Sequence, residues 1–439
     1  MKSVFSFMIL AVLLLLPAAG FAAIDSVGFD PPTSYVAGTF PMSVFCADFN
    51  NDSKADIAAA NFNSNNISIM FGNGDGTFGA TSNYLAGVGP RSVYGGKLNN
   101  DAFVDLVVAD QTTNTVSVMM NNGSGGFPVA VPYAVGLTPV SVFVMDVNGD
   151  GAPDIITANN GGASVSVLIN SGAGLFNPAV SYGTGFGPMS VFAVDMDGDS
   201  IPDILTANFS VDNLSILFNS GSGTFGAAVN YNTADGPSAI FAADVDGDND
   251  RDVVVSDFNG NLVTVFRNNG NGTLQSGVNY HVGSGPRSVW VADLNNDGDR
   301  DIVTANETAD SVTVIKNNGV GVFGPPFNFF AGNGCRSVFG VFANADNKID
   351  LVVANENADS AAILLNVSKP PYLCGDANGD SLVDISDAVY LIAYIFGGGP
   401  SPVPLAAGDA NCDGLVDISD AVYLIAFIFG GGPAPCPSC

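Results

Sequence analysis

Residues 286–331 read PRSVWVADLNNDGDRDIVTANETADSVTVIKNNGVGVFGPPFNFFA, and this stretch decides the fold. Arg287–Leu294 alternates apolar and polar residues and runs into an acidic loop, Asp293–Asp301. Asp301–Ala305, Ser311–Lys316 and Val322–Ala331 read as three further strands, separated by Asn, Gly and Asp turns, with proline at an edge position in the last. The same unit recurs every 49 residues, seven times, without insertion or deletion. Its loops begin at Asp48, Lys97, Asp146, Asp195, Asp244, Asp293 and Phe342. Two more markers hold that register: an aromatic (Tyr35, Tyr84, Tyr133, Tyr182, Tyr231, Tyr280, Phe329) and a turn residue (Pro41, Pro90, Pro139, Pro188, Pro237, Pro286, Cys335).

A fixed period of this length means identical supersecondary units that bury their cores against one another. Four antiparallel strands per unit, repeated seven times, predict an all-β seven-bladed propeller over residues 23–368. A straight solenoid would want atypical capping repeats at each end, and none is present. The fourth strand carries Phe78, Phe127, Phe176, Phe225, Leu274 and Phe323 in register, and the missing seventh copy lies near the N-terminus at Gly28-Phe29. The stretch Gly28–Val36 is therefore expected to complete the last blade, which removes the open sheet edges.

The chain opens with Lys2, an apolar run from Phe7 to Leu16, Pro17 and small residues to Ala23. This predicts a signal peptide over residues 1–22 with cleavage after Ala22 and a secreted product, without a lipid-anchoring Cys at the cut. No later segment has the length of a membrane helix, so membrane insertion is not expected and surface attachment would go through a partner.

Net charge is −30, and the acidity is almost all aspartate: 40 Asp against Glu307 and Glu356. Of these 42 side chains, 31 fall in candidate cation loops, so the charge is placed for a hard cation rather than for general solubility. Nucleic acid and anionic membrane surfaces are poor partners for a chain of this charge, and neither is expected.

The loops read Asp-x-Asp/Asn-x-Asp-x-x-x-Asp. Short carboxylates at alternate positions of a tight turn converge on one centre and supply the oxygens Ca²⁺ prefers over Mg²⁺. Five loops are full: Asp48, Asn50, Asp52, Asp56; Asp146, Asn148, Asp150, Asp154; Asp195, Asp197, Asp199, Asp203; Asp244, Asp246, Asp248, Asp252; and Asp293, Asn295, Asp297, Asp301. Two depart from the rule. Lys97 opens Asn99, Asp101, Asp105, and its ammonium is expected to take the cation's place; Phe342 opens Asn344, Asp346, Asp350, a weak or empty site. Asn/Asp loops are also good turns in their own right, but turn propensity does not ask for Asp at position 9.

After Ser368, Lys369-Pro370-Pro371 reads as a stiff linker (residues 369–373), and residues 374–439 hold a second repeat of period 33. Gly375–Pro400 and Gly408–Pro433 differ at three positions, each a loop followed by a helix with a Gly-rich stop. Cys374, Cys412, Cys436 and Cys439 cluster here and allow three full pairings, with the connectivity open; Cys46 and Cys335 are expected as buried thiols.

These features carry two resemblances. The 49-residue units resemble the FG-GAP/VCBS repeats of integrin-type seven-bladed propellers, through the acidic loops and the pairs Phe78-Gly79, Phe225-Gly226 and Phe323-Gly324. That resemblance implies calcium used structurally on one rim, with ligands taken by other loops. The C-terminal pair resembles a type I dockerin, an EF-hand-like module that binds a cohesin. It implies calcium ligands at Asp376, Asn378, Asp380, the Leu382 carbonyl, Asp384 and Asp387, and at Asp409, Asn411, Asp413, the Leu415 carbonyl, Asp417 and Asp420. Together these make about five ions in the propeller and two in the dockerin. Ser381 stands at the turn-glycine position and is expected at positive φ. The near-identical halves imply two equivalent binding orientations. Ile385, Ser386, Ile418 and Ser419 occupy the positions that read the cohesin. The run Val389–Phe396 is unusually apolar for such a domain, and about two thirds of it is expected in the core.

No catalytic constellation is visible. His281 is the only histidine and is expected as a surface residue, and the aspartates are taken by the loops. The reading is a secreted, calcium-binding recognition or adhesion protein: the propeller binds a protein or glycan and the dockerin docks it to a cohesin-like scaffold. The alternative is a carbohydrate-binding or polysaccharide-degrading component of an extracellular complex, and a third is a purely structural surface component. Exposed aromatics on the rim opposite the acidic loops would favour sugar stacking.

Overall fold

The computed structural model describes residues 27–368, 373–380, 382–403 and 405–435. The expected signal peptide and its cleavage point, most of the linker, Ser381, Cys436 and Cys439 lie outside the described residues. The chain divides into a unit over Val27–Ser368 and a unit that holds the C-terminal repeat; each is described by itself.

The larger unit is a seven-bladed propeller. Strand β1 (Thr33–Val36) precedes the first full set, β2 (Pro41–Ala47), β3 (Asp56–Asn61), β4 (Asn66–Met70) and β5 (Ser82–Leu85), which pair in that order. Five more four-stranded sheets follow the same order. The seventh, Cys335–Val341, Asp350–Asn355 and Ser360–Leu364, takes β1 as its fourth strand. Thr33 pairs with Ile363 and Val36 with Ser360, as ring closure requires. In the sixth blade the strands are Pro286–Ala292, Asp301–Asn306, Ser311–Asn317 and Phe323–Phe330, within two residues of the expected bounds.

Burial follows position in the blade. The second strand of every blade is wholly buried, whereas the fourth is mostly exposed and alternates. The periodic aromatics explain how blades adhere. Outer-strand rings meet the Phe marker of the next blade edge-on, as Tyr35 does Phe78, Tyr133 Phe176, Tyr182 Phe225 and Tyr280 Phe323, at centroid distances of 5.4, 5.4, 5.3 and 5.2 Å. Phe329 meets Phe29 the same way at 5.2 Å, so the N-terminal copy fills the place the register reserves for it.

Two further periodic devices were not anticipated. Phe45, Tyr94, Phe143, Phe192, Phe241, Trp290 and Phe339 form a closed collar around the axis, neighbouring centroids 4.4–5.2 Å apart. Asn121 donates its amide to the Phe49 carbonyl in the preceding blade's loop at 2.8 Å, and Asn170, Asn219, Asn268, Asn317 and Asn366 repeat the bond. Gly72 holds that place in the first blade, and there the Gly76 amide reaches the Ala343 carbonyl instead. Both signals were present in the sequence at the 49-residue period.

The C-terminal unit pairs helices α1 (Ile385–Gly397) and α2 (Ile418–Gly430). Asp384 and Asp417 cap them through matching capping boxes with Asp387 and Asp420, and Gly398 and Gly431 end them in the left-handed region at φ 65°. The core is small: Ala377, Ala388, Leu391 and their copies Ala410, Ala421, Leu424. Cys374 and Cys412 are disulfide-bonded, which suits a unit with so little apolar interior. Cys46 and Cys335 are free and buried in the propeller.

Candidate metal-binding loops

Each acidic loop leaves the inner strand of its blade and ends at the first residue of the buried second strand, which fixes position 9. All seven position-9 aspartates are buried. In the first blade, Asp56 accepts the Phe49 amide on Oδ2 at 2.9 Å and the Gly72 amide on Oδ1 at 2.8 Å. The same pair of bonds recurs at Asp105, Asp154, Asp203, Asp252, Asp301 and Asp350. This corrects the premise that only a cation explains Asp at position 9. The carboxylate ties the loop to the turn between the third and fourth strands, and it does so in the two degenerate loops as well.

Burial pushes these carboxyls up, to about 6 at Asp56, Asp105, Asp154, Asp203, Asp252 and Asp350 and to about 8 at Asp301, against the lowering effect of the backbone amides. Each oxygen keeps a second lone pair after accepting one amide, so the bonds do not exhaust it as a cation ligand.

The fourth and fifth loops gather three carboxylates each. One oxygen from each of Asp195, Asp197 and Asp203, and likewise of Asp244, Asp246 and Asp252, lies within 4.8 Å of the others. Asp246 Oδ1 is buried without a hydrogen-bond partner, and burial followed by Asp248 raises its pKa. Asp246 Oδ2 lies 3.6 Å from the Arg267 guanidinium, while the unpartnered Oδ1 among the loop carboxylates fits a bound cation, and an all-oxygen donor set fits Ca²⁺. Loops with Asn at position 3 differ. Asn148 and Asn295 turn their amide nitrogens onto Asp150 and Asp297 at 2.9 and 2.7 Å, and Asn50 accepts the Asp52 amide at 3.0 Å. Asp48 and Asp146 accept loop amides with both oxygens.

The Lys97 expectation does not hold. Its side chain is exposed and, among the described residues, makes no ion pair, because the strand end leaves the ammonium free to stay hydrated. Phe342 is exposed at the head of the seventh loop, where Asn344 and Asp346 accept only local amides. His281 is an exposed residue of an outer strand.

The C-terminal loops share most of their bonds, among them Asp380 to Asp376 and Asp413 to Asp409. Asp376 accepts the Gly379 and Asp380 amides, and Asp409 the Asp413 and Gly414 amides. Asp387 and Asp420 are buried, accept the amides of Asn378 and Asn411, and have their pKa raised by burial. Gly414 (φ 82°) holds the turn position that Ser381 occupies in the first copy. Leu382 and Leu415 are exposed.

The helices depart from expectation. Of Val389–Phe396 only Leu391 is buried; Ile385, Val389, Ile392 and Phe396 form an exposed apolar stripe, repeated by Ile418, Val422, Ile425 and Phe429. Two helices closing on small alanines cannot cover a wider face. Ser386 and Ser419 beside the stripe are exposed and bonded to Asp384 and Asp417.

With this geometry in hand, a family model described as FG-GAP-like repeat matches residues 48–108, 97–157, 146–206, 195–255 and 244–304. The chain belongs to the FG-GAP-like repeat family. The matched segments span 48–304, more than half the chain, and a dockerin type I domain model matches residues 374–429. Dockerin domains generally bind calcium, and the acidic groups of the propeller loops could hold a metal as well. No curated protein matches in sequence. Among solved structures, an Agrocybe aegerita lectin that recognises non-reducing terminal N-acetylglucosamine is similar at 24% identity and TM-score 0.50, covering 73% of this chain and 86% of that one. A streptogramin B lyase (10% identity, TM-score 0.54, 77% and 98% covered) and BBS1N in complex with ARL6DN (13%, 0.54, 78% and 97%) are similar too. At these identities the likeness concerns the fold alone. Propellers and dockerins are typically non-catalytic, and the dockerin indicates attachment to a cohesin scaffold. Among the described residues, no helix is long and apolar enough to cross a membrane.

Proposed function

We propose that the chain is a secreted, non-enzymatic recognition protein: calcium stiffens the acidic rim of the propeller, the propeller binds an extracellular ligand, and the dockerin docks the whole to a cohesin-type scaffold. The observation that carries this reading is the orphaned Asp246 oxygen among converging carboxylates, set on a rim whose buried aspartates already brace the backbone. Calcium would be held by the five full loops, through the side chains of Asp48, Asn50, Asp52 and Asp56 and their register mates, and by the two dockerin loops. It would supply charge neutralisation and rigidity. The chain's own residues do the rest: position-9 aspartates tie loop to turn, and asparagines tie blade to blade. The paired apolar stripes of α1 and α2 favour a cohesin face that is itself apolar, and their two-fold repetition supports two docking orientations.

A carbohydrate ligand is the second reading, favoured by the aromatics on the rim opposite the acidic loops. Phe186 is exposed there, and Phe40 and Phe62, and Phe209 and Phe258, lie as adjacent ring pairs. Rings at an exposed rim are the surfaces on which a sugar stacks. The test is retention of the full chain on a panel of immobilised glycans and polysaccharides, in calcium and in chelator. Calcium-dependent retention on one glycan class supports a lectin-like role. Failure across the panel by folded protein sends the search to protein ligands.

A further inference from the structure

A bulge follows the first residue of each inner strand, between Pro90 and Ser92 for example, and places one extra residue per blade at the axial channel on the rim away from the acidic loops. In three blades that residue is an arginine. Arg91, Arg287 and Arg336 line one cavity of about 140 Å³, several times the space a water needs. They are three of only twelve basic residues in a chain of net charge −30.

Their partners occupy one register position. Arg287 pairs with Glu307, and Arg336 with Glu307 at 3.3 Å and Glu356 at 2.6 Å. These are the only two glutamates in the chain. The matching residue for Arg91 is Gln111, whose neutral Oε1 accepts from Nη1 at 2.8 Å. Three cations therefore face two anions. Arg287 is held flat on Phe258, its guanidinium carbon 3.5 Å from the ring centre.

Serine hydroxyls complete the lining. Ser43, Ser92, Ser141, Ser190, Ser288 and Ser337 each accept a backbone amide from the neighbouring blade at 3.2–3.4 Å. Each Oγ is thereby fixed as acceptor, with its proton left to donate. Burial, followed by the charges of Arg336 and Arg287, lowers Arg91 to about 9, so it stays protonated at neutral pH while its charge is poorly solvated. An anion at this point would relieve both effects.

We propose that this cavity binds an oxyanion group (carboxylate, sulfate or phosphate) of a small ligand or of a polymer's chain end, with Arg91 as the principal contact and the serines as supporting donors. The proposal rests on the reading that the propeller recognises a ligand, and it names that ligand's chemistry. Bidentate geometry suits a guanidinium to such groups.

Calorimetric titration of the full chain with sulfate, methyl phosphate and glucuronate tests it. One saturable site per chain, weakening as salt is raised, is expected, and the tightest probe identifies the source of the oxyanion. Arg91→Gln should lose at least tenfold in affinity with an unchanged melting temperature. Glu307→Gln, which frees charge on Arg287 and Arg336, should bind several-fold tighter, a gain that misfolding cannot produce. Absence of saturable binding by all three probes, or affinity indifferent to Arg91→Gln, overturns the proposal. Glycan retention that survives Arg91→Gln would leave the recognition reading standing and remove this site from it. Arg91-dependent sulfate binding with a blank glycan panel would keep this site and remove the carbohydrate reading.

Discussion

Along the acidic rim the same atom pairs recur from blade to blade: a buried aspartate accepts two amides in all seven blades, and an asparagine crosses to the preceding blade in six. Along the opposite rim the positions keep their register but the residues change. The bulge residue is arginine in three blades and neutral in four, and the residue beside it is Phe, Gln, Asn or Glu. Repetition is what a closed ring needs, since each blade must fit an identical neighbour. Departure from repetition is what recognition needs, since one ligand contacts a few blades only. The first rim holds the molecule together, and the second carries its individuality.

The largest effect that would break this comparison comes from calcium. Chelation should lower the melting temperature of the full chain by ~10 °C or more, because ions bound only by the folded state add directly to its stability. A thermal scan indifferent to chelator would reduce the acidic rim to a set of turns. A sharper test separates the two duties of the loop aspartates. Asp154→Ala strips the Val147 and Asn170 amides of their acceptor and should cost about 2–4 kcal/mol even in chelator, by denaturant titration. Asp150→Ala, at exposed position 5, should cost stability only when calcium is present.

A smaller effect lies where the repeat is broken inside the ring. In three blades an asparagine amide donates to a Ser or Thr oxygen, which passes its own proton to a second asparagine: Asn61 to Ser68 to Asn83, Asn208 to Ser215 to Asn230, Asn306 to Thr313 to Asn328. Asp257 replaces the first member in the fifth blade. Thr264 then faces two acceptors with one proton, and Asp257 Oδ1 is left unpaired. Burial raises this carboxyl to about 7, so the folded state holds a proton that the unfolded chain releases near 4. Its contribution is full below about pH 4 and is lost as pH rises through about 7. Asp257→Asn should therefore stabilise by on the order of 1 kcal/mol or more at pH 8 and by little at pH 4. Equal effects at both pH values would contradict the relay. The smallest expected change in stability is at Phe186: Phe186→Ala should leave the melting temperature alone while weakening glycan retention several-fold. A drop in melting temperature would show that this side chain belongs to the scaffold.

The ring was legible because its markers are periodic. Tyr35, Phe78 and Phe29 predicted closure before any strand was paired, and the acidic loops announced one rim. Two things escaped. The second use of Asp56 and its mates was hidden because an amide acceptor and a cation ligand ask for the same residue. The arginine cavity was hidden because Arg91, Arg287 and Arg336 lie up to 245 positions apart and share a channel only once the ring is closed. The exposed stripe on α1 was misjudged for a related reason: an apolar run gives no sign of how little partner surface two short helices provide.

The direct test of the account is a count of calcium ions bound by the intact chain, by native mass spectrometry with equilibrium dialysis. About seven ions, five of them lost when the full propeller loops are neutralised by Asp→Asn exchange at positions 1 and 5, is the predicted result. Two ions, both in the C-terminal loops, would contradict it and leave the acidic rim braced by hydrogen bonds alone.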